Sequence, residues 1–331
     1  MTDQKHTEGN QWAVILAGGD GQRMKPFIQS WLGYPKPKQY CAFVGERSML
    51  QHTWDRADRA GHSENQVTII DKSHNQEIFR QMETHTKGRI VIQPRNCDTA
   101  AGIFLALAYI NHWDPKAIVT IYPSDHFIAP QEQFTKMIKE TVSAVTRLKE
   151  RIILLGATPN SPEGEYGWIC PGQPLIGNAG FPVRTVKEFI EKPDQKTIQT
   201  LSRNGGIWNT MIVTAYGSRL WSLGELWCPD MMELFHQLRK VIGLPQESLT
   251  LERIYQAMPQ RNFSKNFLER IVSHLATIEL QGVLWSDWGR PERIIETLGF
   301  LRKKTGFSFT SNGFIALPYD HLWQKFFKLF A

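Results

Sequence analysis

Strand-like and helix-like apolar patterns alternate from Trp12 to Gly156, and few folds accommodate that rhythm. Trp12 to Ala17 reads as a strand, Met49 to Ala60 as a helix, Val67 to Ile70 as a strand, and the stretch near Glu77 to Thr84 as a helix. Strand Ile90 to Gln93 then precedes a long helix from Thr99 to Asn111, strand Ala117 to Tyr122 precedes helix Glu132 to Lys149, and strand Ile152 to Gly156 follows. Such alternation builds βαβ units, and it predicts an α/β chain with an open, mainly parallel sheet covered by helices on both faces.

From Thr158 the texture changes to loops rich in Gly and Pro around short strands at Tyr166 to Cys170, Val183 to Ile190 and Trp208 to Ala215, which predicts an extension of the sheet and a lid. Met231 to Met258 reads as helices, Val283 to Trp288 as a short strand, and Pro291 to Lys304 as a helix with Pro at its start. Phe263 to Leu275 follows neither period. No internal repeat is present, and in particular no hexapeptide array of the kind that builds a left-handed β-helix. The expected organisation is a disordered tail over 1–10, one domain over 11–304, and a short tail over 305–331. Trp323, Phe326, Phe327 and Phe330 give that last tail the spacing of an amphipathic helix, which could pack on the body or on a partner subunit in a homodimer. A membrane-surface role fits less well, because only Lys325 and Lys328 bring positive charge there.

The polar stretch Met1 to Asn10 has no apolar segment behind a basic start, and runs such as Ile103 to Ile110 are too short to span a bilayer, so a cytoplasmic protein without stable membrane insertion is expected. Cys41, Cys97, Cys170 and Cys228 lie far apart with no CxxC pair, which favours free thiols over a zinc site or a disulfide framework. The formal charge of +6 suits a polyanionic ligand, but Lys and Arg are scattered along the chain. Without a basic stripe interleaved with aromatics, nucleic acid is not expected as a partner.

The first strand runs straight into Leu16-Ala17-Gly18-Gly19-Asp20-Gly21-Gln22-Arg23, where glycines let backbone N–H groups approach an anion closely. A dinucleotide fingerprint needs a third glycine where Met24 stands, and a P-loop needs Gly-Lys-Ser/Thr where Gln22 and Arg23 stand. A plain strand-to-helix turn is the bland alternative. Arg23, and Lys38 after the bend at Pro35 to Pro37, could bracket a triphosphate, although each alone would be an ordinary surface charge. Two more loops, Pro94 to Thr99 and Pro123 to His126, fall at predicted strand ends, where an open parallel sheet lines its ligand crevice. Thr99 could simply cap its helix, and Asp125 could be a turn residue, but a carboxylate facing phosphates at a strand end is a natural Mg²⁺ ligand. Glu191-Lys192-Pro193, Trp208 to Met211 and Trp285 to Gly289 are three further short signatures, each weak alone.

Taken in order, the segments LAGGDGQR with Pro26, PKQY, NCDTAAGI, PSDH, EYGWI, EKPD, WNTM and WSDWG resemble the sugar-1-phosphate nucleotidyltransferase family, most closely its mannose-1-phosphate guanylyltransferase branch, over roughly Trp12 to Leu301. The resemblance implies the Rossmann-like nucleotide-diphospho-sugar transferase fold with a small C-terminal helical extension. It also implies an enzyme that joins GTP to mannose 1-phosphate and releases pyrophosphate, with Mg²⁺. It places backbone around Leu16, Ala17, Gly18 and Gly19, with Asn96 and Thr99, at the base and ribose, and counts Gly21 among the nucleotide-binding residues. Arg23 and Lys38 would hold the β- and γ-phosphates, and Asp125 and Asp287 the metal. Lys192 would grip the sugar phosphate, with Glu191, Asn209 and Gly167 on sugar hydroxyls.

Departures are Gln22 where Thr is usual, Ala101 for a frequent Pro, Trp288 for a common Val, and a longer bend between Pro26 and Pro37. No cupin-like isomerase domain follows, so only the transferase step is expected. Two alternatives stay open: the same chemistry with UTP or dTTP and glucose 1-phosphate, and a non-catalytic sugar-nucleotide-binding paralogue.

Overall fold

A computed structural model describes residues 10–82, 87–176, 181–301, 307–310 and 313–316. Strands β1 (Gln11–Leu16), β2 (Gln66–Asp71), β3 (Arg89–Gln93) and β4 (Ile118–Pro123) form an all-parallel half sheet in the order β3-β2-β1-β4. Strand β9 (Ile207–Tyr216) inserts antiparallel between β4 and β6 (Ile152–Ala157), and β6 is parallel to β10 (Leu275–Glu279). Six of these seven strands therefore share one direction. The hairpin β7 (Gly167–Ile176) and β8 (Val183–Glu191) completes the nine-stranded sheet.

Side chains alternate across the sheet, as strand geometry requires. Val14, Ile152 and Leu154 enter one apolar layer, and Ala13, Ile15, Ile153 and Leu155 enter the other. The first layer is filled by α4 (Asp98–Trp113) with α7 (Gly217–Trp227), α8 (Pro229–Arg239) and α9 (Glu247–Ala257). Helix α4 is apolar and buried nearly all round, because it is wedged between the sheet and other helices. The second layer is covered by α2 (Met49–Ala60) and α5 (Gln131–Arg147). Ser48 and Gln51 close a reciprocal capping box that fixes where α2 begins.

A smaller apolar cluster sits apart. Met24, Phe27 and Ile28, from the start of α1 (Lys25–Leu32), pack with Phe43, Trp288 and Ile294 and Leu298 of α10 (Pro291–Phe300). The long bend between Pro26 and Pro37 thus contains a helix, with Pro26 in its first turn and Gly33 in the left-handed region at its end. Helix α10 is the C-terminal helical extension. The tail beyond it begins with strands β12 (Phe307–Thr310) and β13 (Gly313–Ala316), paired antiparallel, so this part is extended rather than helical. The helical spacing at Trp323 to Phe330, and all but Asn10 of the expected 1–10 tail, lie outside the described residues. Among the described residues no helix is long and apolar enough to cross a membrane, and all four cysteines are free and buried.

Candidate active site

The glycine loop leaves β1 beside the ends of β2 and β3. Gln39, in the 3₁₀ turn Lys38–Tyr40, donates to the carbonyls of Ala17 and Gly19 at 2.8 Å each. Asn96 reaches the carbonyl of Gly18 at 3.4 Å. A trans peptide points its N–H opposite to its C=O, so these side chains turn the amides of Gly18, Gly19 and Asp20 away from themselves. Two of the glycines are closely approached, and at Gly21 the backbone conformation itself favours glycine. A Cβ at Gly18 would lie 2.7 Å from Gln93 Nε2, and Gly21 holds φ +57° with Lys38 Cβ 3.2 Å from where its own would be.

Asp125 and Asp287 are brought together by a two-stranded ladder. β5 (Phe127–Ala129) pairs antiparallel with β11 (Leu284–Ser286), Phe127 opposite Ser286, which leaves both carboxylates at the same end. Lys38 lies between them. Its Nζ is 2.8 Å from Asp125 Oδ2 and 2.5 Å from the carbonyl oxygen of Asp287. Lys38 is 4% exposed, whereas Arg23 is 52% exposed and binds Glu165 at 2.7 Å and Asp287 Oδ2 at 3.3 Å. All four charged residues picked from sequence at this end are therefore in one cluster.

Asp287 Oδ1 accepts from Tyr166 Oη at 2.8 Å, the Gly289 amide at 2.9 Å and Arg293 at 2.7 Å. Burial alone would raise the pKa of Asp287, but the Lys38 ammonium and the Arg293 guanidinium hold it well below the usual carboxylate range. Desolvation likewise opposes ionisation of Asp125, and Lys38 more than offsets it. His126 shifts the other way: burial lowers its pKa despite the adjacent Asp125. Trp285 Nε1 can only donate, so at 3.3 Å it makes His126 Nδ1 an acceptor and puts the proton on Nε2, 3.6 Å from Asp125 Oδ1.

A second group of residues meets around Glu191. Its amide donates to Glu269 at 2.7 Å, and a Cβ on Gly167 would stand 2.6 Å from its Oε2 and 3.3 Å from Asn209 Cβ. Asn209 reaches Ser264 Oγ at 3.4 Å, and burial raises the pKa of Glu191. Lys192 follows with φ 51°, its side chain exposed and its amide bonded to the Tyr166 carbonyl at 3.2 Å. Strain of this kind in a non-glycine residue collects at functional positions. Tyr166 thus joins the two groups, with its hydroxyl on Asp287 and its carbonyl on Lys192. Thr99 does not cap its helix through its hydroxyl; Oγ1 accepts from the Phe263 amide at 2.8 Å and ties the Asn96 loop to the segment Phe263–His274, a π-turn followed by 3₁₀ turns.

Sequence reasoning missed Glu163, Arg290 and Arg293. Arg293 binds Glu163 at 2.6 Å, Glu165 at 2.8 Å and Asp287, and stacks 4.6 Å over the ring of Tyr166. The available signal was its position one turn into a helix that starts just after WSDWG. Trp288, at φ 44°, is buried, stacks on Phe127 at 4.7 Å and meets Phe43 edge-on at 5.7 Å, so this departure from the family pattern fills the small apolar cluster.

Comparison with known proteins bears on the family and the fold. A profile of the Nucleotidyl transferase family matches residues 12–304. A mannose-1-phosphate guanylyltransferase of Escherichia coli is 25% identical over 282 residues, covering 83% of this chain and 59% of the relative. The xanthan biosynthesis protein XanB of Xanthomonas campestris pv. campestris (strain B100) is 32% identical over 212 residues, covering 62% of this chain and 42% of the relative. The chain therefore spans only about half the length of these curated relatives. Among solved structures, a mannose-1-phosphate geranyltransferase from Thermus thermophilus has the same fold, with a TM-score of 0.71 at 20% identity, covering 85% of this chain and 76% of that one. The chain belongs to the nucleotidyl transferase family and, within it, to the sugar-1-phosphate nucleotidyltransferases.

Proposed function

We propose that this protein joins GTP to mannose 1-phosphate, giving GDP-mannose and pyrophosphate. The observation that carries the reading is the convergence of Lys38, Arg23, Asp125 and Asp287 beside a glycine loop whose carbonyls are turned inward. An oxygen of the sugar phosphate attacks the α-phosphorus, and the bond from that phosphorus to the oxygen bridging to the β-phosphorus breaks. Its electron pair leaves with pyrophosphate. No protein nucleophile is needed, so catalysis reduces to alignment and charge neutralisation.

The amides of Gly18 and Gly19, with Gly21, Leu16, Ala17, Asn96 and Thr99, are assigned to the base and ribose. Arg23 and Lys38 take the β- and γ-phosphates, exchanging carboxylates for phosphate oxygens. Lys192 holds the sugar phosphate, and Glu191, Asn209 and the Gly167 backbone take sugar hydroxyls. The residues present also fit Mg²⁺. Both donors are carboxylate oxygens held ionised, and Asp287 Oδ2 has only the long Arg23 contact while Oδ1 is saturated. When bound, the metal would be held by Asp125 and Asp287 and would supply charge neutralisation at the phosphates. A cytoplasmic setting goes with the four free, buried thiols.

The test is pyrophosphate release with Mg²⁺ over a matrix of four nucleoside triphosphates and several hexose 1-phosphates, with Asp125→Ala as control. Activity confined to GTP and mannose 1-phosphate, and lost in the variant, is the expected result. Activity with UTP or dTTP and glucose 1-phosphate replaces the substrates and keeps the mechanism. A blank matrix replaces the enzyme with a binding paralogue.

A further inference from the structure

Arg56, on the inner face of α2, is 3% exposed, and among the described residues no carboxylate lies within ion-pair distance of it. Its neighbour Asp55 is committed to Arg47 at 2.8 Å. Burying a guanidinium without a counter-ion is costly, and its Nε has no hydrogen-bond partner either. Two acceptors remain, both to Nη2: Thr53 Oγ1 on its own helix at 2.5 Å and the backbone carbonyl of His126 at 3.3 Å. The second contact joins helix α2 to the turn between β4 and β5, one residue from Asp125. Burial pulls the Arg56 guanidinium down to about 10, so it stays charged at neutral pH. A hydrophobic residue of similar length would satisfy the core better than this arrangement does.

We propose that Arg56 is a positioning residue for the reaction, clamping the turn at His126 so that Asp125 is presented to Lys38 and to the metal. The inference rests on the functional reading above. It explains why the core tolerates a cation with no carboxylate in direct contact: the turn carries one of the two proposed metal carboxylates, and its partner ladder β5–β11 is only three residues long on each side. The turn is tied to β1 by Ser124, whose amide and hydroxyl both donate to the Leu16 carbonyl, and to β11 by Trp285 on His126 Nδ1; the buried Arg56 Nη2 on the His126 carbonyl adds the restraint from helix α2.

The experiment compares wild type with Arg56→Met and Arg56→Lys, measuring Mn²⁺ affinity by electron paramagnetic resonance with GTP present, pyrophosphate release, and thermal midpoint. Arg56→Met should weaken Mn²⁺ binding at least fivefold and lower kcat about tenfold, with KM for mannose 1-phosphate within twofold and the thermal midpoint unchanged or raised. Arg56→Lys, which keeps the charge without the guanidinium geometry, should fall between the two and stay more than twofold below wild type in both Mn²⁺ affinity and kcat. A folded variant of either kind with Mn²⁺ affinity and kcat within twofold of wild type overturns the inference. A lower midpoint with every kinetic constant impaired in proportion overturns it too, since that is what a purely structural arginine would give. Should Arg56→Met not fold, Arg56→Lys alone decides by the same criteria. A wild type silent toward all substrates sinks the functional reading itself, whereas an active wild type beside an unchanged variant sinks only the role of Arg56.

Discussion

Tyr166 and Asp287 share a hydrogen bond of 2.8 Å that spans 121 residues of sequence and couples the two halves of the crevice. The same tyrosine carries Lys192 on its carbonyl and Arg293 over its ring. Asp287→Asn should lower kcat by a factor of about 10² to 10³, the usual size for losing one charge-stabilising group, with little change in KM for the sugar phosphate. Tyr166→Phe should cost about tenfold in kcat/KM. A double-mutant cycle between them should give a coupling of about 1–2 kcal/mol, and additivity would show that the bond carries nothing.

A Cβ on Gly167 would push the Glu191 carboxylate aside, since Oε2 lies 2.6 Å from that position. We expect Gly167→Ala to raise KM for the sugar phosphate about tenfold, a contact effect of roughly 1.4 kcal/mol, and to leave KM for the nucleotide within twofold. Initial rates with each substrate varied in turn would expose a shared defect.

Arg23 is the half-exposed cation of the cluster, already paired with Glu165 and Asp287. Arg23→Ala should raise KM for the nucleotide about tenfold or more, and Arg23→Lys should recover only part, because a point charge replaces a planar fork. Equal losses in Lys and Ala would instead mean that geometry alone matters.

His62 is fully buried, and burial lowers its pKa from 6.5 to about 4. The unfolded chain takes up a proton here at higher pH than the folded one. The stability contributed by keeping this ring neutral is thus complete above pH 6.5 and lost as pH falls from there through about 4. Urea unfolding at pH 7 and pH 5 should show a drop for wild type that shrinks in His62→Phe; an undiminished drop would locate the acid sensitivity elsewhere.

The periodic parts of the fold are legible in sequence. Met49–Ala60 shows its observed bounds there because a capping box opens it and Gly61 closes it, and the first four parallel strands can be read to within two residues. Helix α1 is hidden because its eight residues, with Pro26 near the start and Pro35 soon after the end, read as a bend, and the Phe263–His274 segment has no single period to detect. In the site, residues lying in short motifs at strand ends are visible. Arg293 and Arg56 are not: each sits on an ordinary helix and acquires its meaning from a partner that only the tertiary structure supplies.

The β5–β11 ladder also sets the order in which this protein comes to exist. Its two strands lie more than 150 residues apart in sequence, Phe127 opposite Ser286, so loop closure between them comes late and at high entropic cost. A nascent chain can complete the glycine loop and its parallel half sheet long before Asp287 has been synthesised. During that interval it can hold a nucleotide cleft with Arg23, Lys38 and Asp125 present but without the second proposed metal carboxylate, so full catalytic competence reports that the ladder has closed.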